Sequence, residues 1–472
     1  MLDGTAMRAK RARARAVADA LVLAVTLAGC AAGGAAGSGS SKPPQPGDVG
    51  YGYPPADAVA SVTPERVRKA VRELPDSVEE LMEQTGVPGV AVAVVYDGET
   101  IYAEGFGVRS VEGDEPVDAD TVFQLASVSK SLGATVVARQ VAEGVVTWDT
   151  PVIELLPEFA LSDPWVTEHL TIADLYAHRS GLWEHAGDDL EDLGYDRATI
   201  LERLRQLPLA PFRSTYAYGN FDITTGAEAV ARAAGEDWAD LSQRVLYEPL
   251  GMESTSSRFD DYMAQENRVD GHILDGTEWV VTPLPRDADP ESPAGGVSSS
   301  AADMAAWLTA LLALSGPDAP EGGLRDALLP AIAAQIVSAP GGAAYARSGF
   351  YGYGFNVSVT AGGLANVSHS GAFYLGTGTN FSVLPARASA SWSSPTRPRT
   401  ALRRRSPRSS STARSSGSCA RTGSRSTARP SPPAPCRWES WWGRRPRATR
   451  FRPGRSPSMP AATGTATSGM LS

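Results

Sequence analysis

The sequence predicts an α+β protein, in which an antiparallel sheet flanked by helices is interrupted by a mostly helical insert domain. Three observations predict this class. Residues 89–107, GVAVAVVYDGETIYAEGFG, contain two β-rich runs around Asp97-Gly98, a hairpin signal. From Ser127 to about Leu314 the pattern is mostly helical, and short strand-like runs return between residues 351 and 386.

The first 60 residues indicate export. A basic segment beginning at Met7 precedes an apolar run that is too short to span a membrane as a mature helix. The run ends in LAGC, Leu27–Cys30, which resembles a bacterial lipobox. Residues 1–30 are therefore predicted to be a lipoprotein-type signal peptide with lipidation at Cys30, and the Ala-, Gly-, Ser- and Pro-rich residues 31–60 a flexible linker. The protein is expected on the outer face of the bacterial cell membrane, held by the lipid alone; a plain secretory signal is the alternative.

The predicted folded domain, residues 61–386, begins with a helix. Thr63 can cap it, Pro64 suits its first turn, and apolar residues recur at helical spacing as far as Thr85. No internal repeat is visible. The three cysteines of the chain have neither the spacing of a disulfide framework nor that of a zinc site (Cys30, Cys419 and Cys436).

Charge is divided unevenly along the chain. The net charge of −10 averages two regions, because residues 387–472 contain 18 of the 43 Lys+Arg and a single acid, Glu439. The remaining 25 bases face 52 acids. An acidic body argues against nucleic acid as a partner.

One lysine stands out in a chain that otherwise uses arginine. Only four lysines occur, and one of them, Lys130, lies three residues after Ser127 in FQLASVSKSL, residues 123–132. Residues three apart share a helix face, so Ser127 and Lys130 meet while Ser129 points elsewhere. A serine becomes nucleophilic when a base takes its proton. Lysine can serve as that base once its pKa falls from ~10.4 toward ~7, whereas arginine stays protonated.

Distant segments support this pairing. Several of them follow one another in the order found in a known family: FQLASVSKSLGA, LTIADLYAHRSGL, STYAYGNFD, EPLGMEST, SPAGGVSSSAADMAAWL, YGYGF and HSGAFYLGTGTNFSVLPA. Over about residues 65–386 the chain resembles the serine β-lactamase and penicillin-binding-protein superfamily, and most closely its class C β-lactamase, DD-peptidase and esterase branch. The resemblance implies the β-lactamase/transpeptidase-like fold.

The resemblance also implies roles in catalysis. Ser127 is expected to be the acylated nucleophile, and Lys130 and Tyr218 to share the general-base and general-acid work. Asn220 is expected to hydrogen-bond the substrate amide or the lysine. The backbone N–H groups of Ser127 and Ala372 are expected to form the oxyanion hole.

The third motif of the family is His369-Ser370-Gly371 here, which places His369 and Gly371 among the substrate-binding residues. Lactamases and many penicillin-binding proteins have a lysine where His369 stands, and a mostly neutral histidine should capture a substrate carboxylate less well. A D-amino-acid peptidase, DD-carboxypeptidase or esterase therefore ranks above a β-lactamase. A non-catalytic penicillin-binding relative, acting as a sensor or scaffold, is the alternative of another class.

The other histidines indicate structure. His178, in AHRSGL, is interpreted as holding a loop through hydrogen bonds to backbone, although a triad role is the alternative. The five histidines form no metal-ligand spacing, so neither a metal nor another cofactor is expected (His169, His178, His185, His272 and His369). The expected partner is a small peptide, ester or β-lactam, and the expected oligomeric state is a monomer.

Residues 387–472 differ in composition from the predicted domain. They are rich in Arg, Ser and Pro and lack periodicity, so they are predicted to be a disordered tail. The last central strand and the C-terminal helix of the family are accordingly expected to be lost. A shifted reading frame is the sharper hypothesis, since one choice of codons for Ala388–Ser406 reads VGVVVLTNASPNGTAEAI in another frame. The chain as written is then expected to be unstable or weakly active.

Overall fold

A computed structural model describes residues 62–395, apart from 318, 343–345, 361, 375 and 388. The predicted signal peptide, Cys30, the linker and the tail beyond residue 395 lie outside the described residues. The predictions made for them stay predictions.

Fourteen α-helices lie within the described residues. Their bounds are α1 Pro64–Thr85, α2 Ser129–Ala142, α3 Val152–Leu155, α4 Pro164–His169, α5 Ile172–Tyr176, α6 Asp188–Asp192, α7 Arg197–Arg203, α8 Asn220–Ala234, α9 Trp238–Ser242, α10 Glu248–Leu250, α11 Phe259–Ala264, α12 Ser292–Gly295, α13 Ala301–Ser315 and α14 Gly323–Leu328. One turn of 3₁₀-helix, Ala126–Val128, leads directly into α2.

Twelve strands complete the same part of the chain. They are β1 Gly89–Tyr96, β2 Glu99–Gly107, β3 Phe123–Gln124, β4 His272–Asp275, β5 Glu278–Val281, β6 Ser298–Ser299, β7 Ile336–Ala339, β8 Gly349–Tyr351, β9 Asn356–Val359, β10 Ala365–Phe373, β11 Thr377–Leu384 and β12 Ser389–Pro395. Eight of them form one sheet in the order β2-β1-β12-β11-β10-β9-β8-β7, and the pairings within it are antiparallel.

The predicted N-terminal helix and hairpin are confirmed. Thr63 Oγ1 accepts a hydrogen bond from the backbone N–H of Arg66, at 3.4 Å, and so caps α1. Asp97 and Gly98 both have positive φ, 56° and 80°, and join β1 to β2. Two left-handed residues match the right-handed twist of the paired strands, which explains why Asp-Gly occupies this turn.

The expected loss of the last central strand is wrong. Residues 389–395 form β12, which pairs with β1 on one side and with β11 on the other. The folded domain therefore continues past the predicted boundary at residue 386, and the sheet has no gap between its N-terminal hairpin and the strands that follow. The C-terminal helix expected of the family falls outside the described residues.

Alternation explains how a serine-rich segment forms this strand. Successive side chains of a strand point to opposite faces, so a central strand needs suitable side chains only at every second position. Ala390, Trp392 and Ser394 are buried, at 5%, 1% and 0% exposure, and Trp392 meets the ring of Phe123 edge-on at 6.3 Å. The backbone supplies the hydrogen-bonded ladder whatever the side chains are.

The sheet is covered by helices on both faces, which fixes the place of the site. On one face, Ala91 and Ala93 of β1 join the main core together with residues of α2 and α13. On the other face, Val90 and Val92 pack with Val78 of α1. A separate apolar cluster, including Val152, Leu175 and Phe221, stabilises the helical insert. No described helix is both long enough and apolar enough to cross a membrane.

Candidate active site

Ser127 lies in the 3₁₀ turn between β3 and α2, in a backbone held from two sides. The N–H of Leu125 donates to the carbonyl oxygen of Val297 at 2.8 Å. The carbonyl oxygen of Leu125 accepts from Thr379 Oγ1 of β11 at 2.5 Å. Ala126 has a φ of 48°, a left-handed conformation that costs a non-glycine residue free energy. The surrounding hydrogen bonds thus hold a strained turn that places Ser127 at the start of the helix.

Ser129 has a structural role. Its hydroxyl donates to the carbonyl oxygen of Ala126 at 2.6 Å and accepts from the backbone N–H of Val297 at 3.0 Å. Both contacts are buried and secure the turn around Ser127. The helical spacing therefore selects Ser127 over Ser129, as the sequence predicts.

Lys130 is fully buried, and its amine lies among three oxygen acceptors. Nζ is 2.6 Å from Asn220 Oδ1, 2.9 Å from the carbonyl oxygen of Ala294 and 3.3 Å from Ser127 Oγ. Burial is the largest influence on its pKa, which falls to about 8; nearby carboxylates, Glu291 first, act in the opposite direction. A substantial fraction of the amine is therefore neutral near physiological pH.

Tyr218 closes the site over Lys130. Lys130 Nζ lies 4.7 Å from the centroid of the Tyr218 ring. Burial raises the pKa of Tyr218 far above its ordinary range, although a hydrogen bond with Ser127 opposes the rise. The tyrosine is therefore a neutral phenol that touches Ser127, while Lys130 is the more easily deprotonated group.

His178 supports the Tyr218 loop from beneath. Its Nδ1 accepts a hydrogen bond from the backbone N–H of Gly219 at 3.3 Å, and its carbonyl oxygen accepts from the N–H of Ala217 at 3.0 Å. The ring is buried 4.7 Å from that of Tyr218, and burial holds the pKa of His178 well below its usual value. These contacts agree with the structural interpretation of His178.

Asn220 is the first residue of α8 and connects the lysine to an acidic side chain. Its Oδ1 accepts from Lys130, and its Nδ2 donates to Asp188 Oδ2 at 3.2 Å. Of the two partners proposed for Asn220 from the sequence, the structure shows the lysine.

Gly371 allows β10 to approach the nucleophile. A Cβ at this position would come within 2.6 Å of the backbone nitrogen of Ser127 and within 2.3 Å of the carbonyl oxygen of Leu125. Only a glycine fits so close a crossing. The next residue of β10 is Ala372, and its N–H stays predicted, with that of Ser127, to form the oxyanion hole.

His369 lies deeper than expected of a residue that contacts substrate. Only 3% of it is exposed. Its Nδ1 lies 2.9 Å from the carbonyl oxygen of Ser370 and its Nε2 lies 2.9 Å from the hydroxyl of Tyr351. A carbonyl oxygen only accepts, so Nδ1 carries a proton, and in the contact between Nε2 and the Tyr351 hydroxyl either group can be the donor. In this arrangement His369 packs within the protein near Tyr218, at 6.4 Å between ring centroids, and offers no exposed positive charge.

Sequence reasoning missed a group of acids around the lysine. Glu291 and Glu191 are buried, and burial is the largest cause of a raised pKa in both. Arg286 Nη2 lies 2.8 Å from Glu191 and 3.9 Å from Glu291. The acidic stretch 188–192 was the available signal, but only the fold brings it close to Lys130.

Metal-ligating side chains are not clustered in the part of the chain that the structure describes. No group of three or more His, Cys, Asp or Glu residues there could hold a metal ion.

The fold and the site define a β-lactamase/transpeptidase-type protein with a serine beside a buried lysine. The Beta-lactamase family model matches residues 74–400, which are more than two thirds of the chain. The chain therefore belongs to the beta-lactamase family, whose members are serine hydrolases.

Curated relatives carry several names. An unguisins hydrolase of Aspergillus violaceofuscus is 32% identical over 241 residues, which are 48% of this chain and 42% of the relative. Esterase EstB of Burkholderia gladioli is 34% identical over 193 residues, or 37% of this chain and 48% of the esterase. The chain thus spans about half the length of the curated relatives it matches.

Solved structures show the same fold. An octameric penicillin-binding protein homologue from Pyrococcus abyssi gives a TM-score of 0.59 at 21% identity, covering 69% of this chain and 73% of that one. A class C beta lactamase from Rhodobacter sphaeroides gives a TM-score of 0.55 at 22% identity, covering 69% and 93%. Both likenesses concern the fold.

Proposed function

We propose that this protein is a serine hydrolase that acts through an acyl-enzyme on Ser127, and that its substrate is a D-amino-acid peptide or an ester. The observation that carries the proposal is the buried amine of Lys130 at 3.3 Å from Ser127 Oγ. A neutral amine has two N–H bonds and one lone pair. Asn220 Oδ1 and the carbonyl oxygen of Ala294 accept the two N–H bonds, so the lone pair is left for Ser127.

Acylation follows from this arrangement. The hydroxyl proton of Ser127 passes to Lys130 Nζ as Oγ bonds to the acyl carbon, and negative charge develops on the carbonyl oxygen. The N–H groups of Ser127 and Ala372 would bind that oxygen. The bond to the leaving group then breaks, the leaving atom takes a proton from the hydroxyl of Tyr218, and the ammonium of Lys130 replaces it.

Deacylation uses the same groups in reverse. Water attacks the acyl carbon and gives a proton to Lys130. Ser127 Oγ leaves with a proton from the hydroxyl of Tyr218 as the acid product forms, and the ammonium of Lys130 returns a proton to Tyr218. We assign the base to Lys130 and the proton donor to Tyr218. The lowered pKa of Lys130, about 8, and the strongly raised pKa of Tyr218, which keeps it a protonated phenol, support this division of roles.

Three observations support the substrate ranking. His369 is buried and bonded to Tyr351, so it supplies no exposed cation for the carboxylate of a β-lactam. A relative named as an esterase matches 37% of the chain, and another is named as the hydrolase of the unguisins. A β-lactamase is the second candidate, supported by the family and by the class C fold.

Substrate profiling tests the ranking. Purified protein should cleave a short-chain p-nitrophenyl ester or a D-Ala-D-Ala peptide faster than nitrocefin, and Ser127→Ala should abolish every activity. Rapid nitrocefin hydrolysis that His369→Lys does not improve would contradict the ranking. A fluorophosphonate or fluorescent penicillin that labels wild type but not Ser127→Ala separates a working hydrolase from a non-catalytic relative.

Export, lipid anchoring at Cys30 and a monomeric state are parts of the same proposal. The basic n-region and LAGC support the first two. Cells expressing the full chain should incorporate labelled palmitate into wild type and not into Cys30→Ala, and an unlabelled wild type would contradict anchoring.

Light scattering on the detergent-solubilised protein should give the mass of one chain. A larger mass would contradict the monomer.

A further inference from the structure

We propose that Asp188 is a positioning residue for the base: it fixes the side-chain amide of Asn220 in the orientation that leaves the lone pair of Lys130 to Ser127, and His185 holds Asp188 in place. The proposal rests on the function proposed above and names two residues that the family motifs do not contain.

A continuous line of hydrogen bonds leads from the surface to the base. His185 Nδ1 lies 2.8 Å from Asp188 Oδ2. The same oxygen accepts from Asn220 Nδ2 at 3.2 Å, and Asn220 Oδ1 accepts from Lys130 Nζ at 2.6 Å. The outer end is open to solvent, since 57% of the His185 side chain is exposed, and the inner end is fully buried.

The orientation of the Asn220 amide decides which way the Lys130 lone pair points. With Oδ1 toward Lys130, both N–H bonds of the neutral amine have acceptors, and only Ser127 Oγ remains for the lone pair. A turned amide would direct an N–H group at the lone pair and compete with Ser127. Asp188 opposes that turn, because the carboxylate accepts from Nδ2 and would repel Oδ1.

The backbone places Asp188 for this contact. It is the first residue of α6 and follows Gly187, which has a φ of 99°. The backbone N–H of Asp188 donates to the carbonyl oxygen of His185 at 3.2 Å, and the N–H of His185 donates to the carbonyl oxygen of Tyr218 at 2.8 Å. The segment that carries Asp188 is therefore fastened to the segment that carries Tyr218 and Asn220.

Asp188 also contributes charge at the lysine. Its Oδ1 is buried without a hydrogen-bond partner among the described residues. Its negative charge raises the pKa of Lys130, as do the charges of Glu291 and Glu191. Arg286 lowers the pKa values of those two glutamates and so favours their charged forms. Among these acids Asp188 is the one whose side chain bonds to Asn220.

Other titratable groups also lie near the lysine and Asp188. His178 lies beneath Tyr218 with its pKa held low by burial, and Lys130 lowers it further, so it stays neutral. Hydrogen bonding to Asp188 raises the pKa of His185. Tyr218 is a neutral phenol throughout the range considered.

The charge of Asp188 also raises the pKa values of three buried carboxyl groups, those of Asp222, Glu191 and Glu291. A shift of the acid limb can therefore come from Asp188, from His185 or from these carboxyls, so the plateau above their pKa values is the readout of positioning.

Three variants separate charge from orientation. Asp188→Asn removes the charge but keeps an oxygen that can take both contacts of Oδ2. Asp188→Ala removes the charge and the acceptor together. Asp189→Asn is the matched control. Asp189 is the exposed neighbour of Asp188, and its substitution changes the net charge by the same amount. The readout is kcat/KM for the ester across pH 6–10, measured below the melting temperature of every variant.

Both changes at Asp188 should move the acid limb of the profile to lower pH, because each lowers the pKa of Lys130. Only Asp188→Ala should also lose roughly tenfold to a hundredfold on the high-pH plateau, the effect of losing one charge-assisted hydrogen bond. Asp189→Asn should match wild type. His185→Ala changes an exposed side chain, and its plateau kcat/KM should fall roughly threefold to tenfold. This variant keeps the test available if Asp188→Ala does not fold.

An unchanged plateau in both Asp188→Ala and His185→Ala would overturn the positioning role, and so would an equal plateau loss in Asp188→Asn and Asp188→Ala. Failure of the proposed function looks different: Ser127→Ala would then retain the activity, whatever the Asp188 variants do.

Discussion

At the scale of single residues, the chemistry of the site depends on the depth of one lysine. Lys130 is among the largest fully buried side chains of the described residues, and its three acceptors are fixed by different elements: the turn before α2, the start of α8 and the helix α12. Burial is what turns an ordinary ammonium into a base. The same burial leaves no room for solvent to substitute for a lost contact.

Lys130→Arg tests whether deprotonation is required. A guanidinium keeps a positive charge at the position but cannot accept the proton of Ser127, so labelling of Ser127 by a fluorophosphonate should slow by at least roughly a thousandfold. The matched control is Lys69→Arg, the same substitution at an exposed lysine paired with Glu73 at 3.2 Å. Lys69→Arg should label at the wild-type rate. Labelling of Lys130→Arg within tenfold of wild type would exclude Lys130 as the base.

The rate should rise with pH through the pKa of Lys130. This pKa is lowered to about 8, so about one tenth of the amine is neutral at pH 7 and about nine tenths at pH 9. The neutral form is the active one, hence kcat/KM should increase about tenfold between these values. A profile measured with a substrate that does not itself titrate checks this. A rate that is flat from pH 6 to 9 would mean that another group, or a different pKa, controls acylation.

At the scale of elements, the strand β12 decides whether the sheet is complete. It lies between β1 and β11, and its register places Trp392 between Ala93 of β1 and Phe381 of β11. Four of its seven residues are serines, which the sequence presents as low complexity. Tertiary pairing on both sides overrides that weak preference for a strand. The shifted-frame hypothesis, which begins at Ala388, stays a prediction that resequencing around codon 387 can test.

Trp392→Ala measures what β12 contributes. The ring is 1% exposed and packs edge-on with Phe123, so its removal should cost about 3–5 kcal/mol of the free energy of unfolding, and the melting temperature should fall by roughly 10 °C. Trp183→Ala is the control, because that tryptophan is 57% exposed. Thermal melts followed by circular dichroism give both numbers. Equal melting temperatures for the two variants would mean that β12 does not pack as described.

At the scale of the whole molecule, several buried carboxyl groups make the fold less stable as pH rises, whereas the reaction is expected to become faster. Burial raises the pKa of Asp222 to about 7, and the pKa values of Glu191 and Glu291 rise for the same reason. These groups are held neutral in the fold at mildly acidic pH. In the other direction, hydrogen bonds from Arg213 and Arg179 outweigh burial and lower the pKa of Asp174.

Stability should therefore be highest near pH 5 and should decline toward pH 8. A carboxyl group whose pKa is raised in the fold stabilises the protein below its unfolded pKa and loses that effect as pH rises through the folded pKa, here about 7 for Asp222. We expect a melting temperature lower by roughly 5 °C at pH 8 than at pH 5. Asp222→Asn should reduce this difference, whereas Asp189→Asn should preserve it. A melting temperature that rises from pH 5 to pH 8 would contradict the assignment.

The sequence by itself determined the class of fold, the first helix and hairpin, and the pairing of Ser127 with Lys130. Each of these depends on local spacing: three residues on a helix face, alternation along a strand, or a two-residue turn. The order of the distant motifs identified the family, because several short patterns in sequence are more specific than any one of them.

Only the tertiary structure decided the rest. It placed Asp188, Glu191 and Glu291 around Lys130, buried His369 against Tyr351, and recruited residues 389–395 into the sheet. These features arise from contacts between residues far apart in sequence, and their consequences, above all the lowered pKa of Lys130, depend on the removal of water from a buried volume. No local pattern in the chain records how deeply a side chain will lie or which charges will surround it.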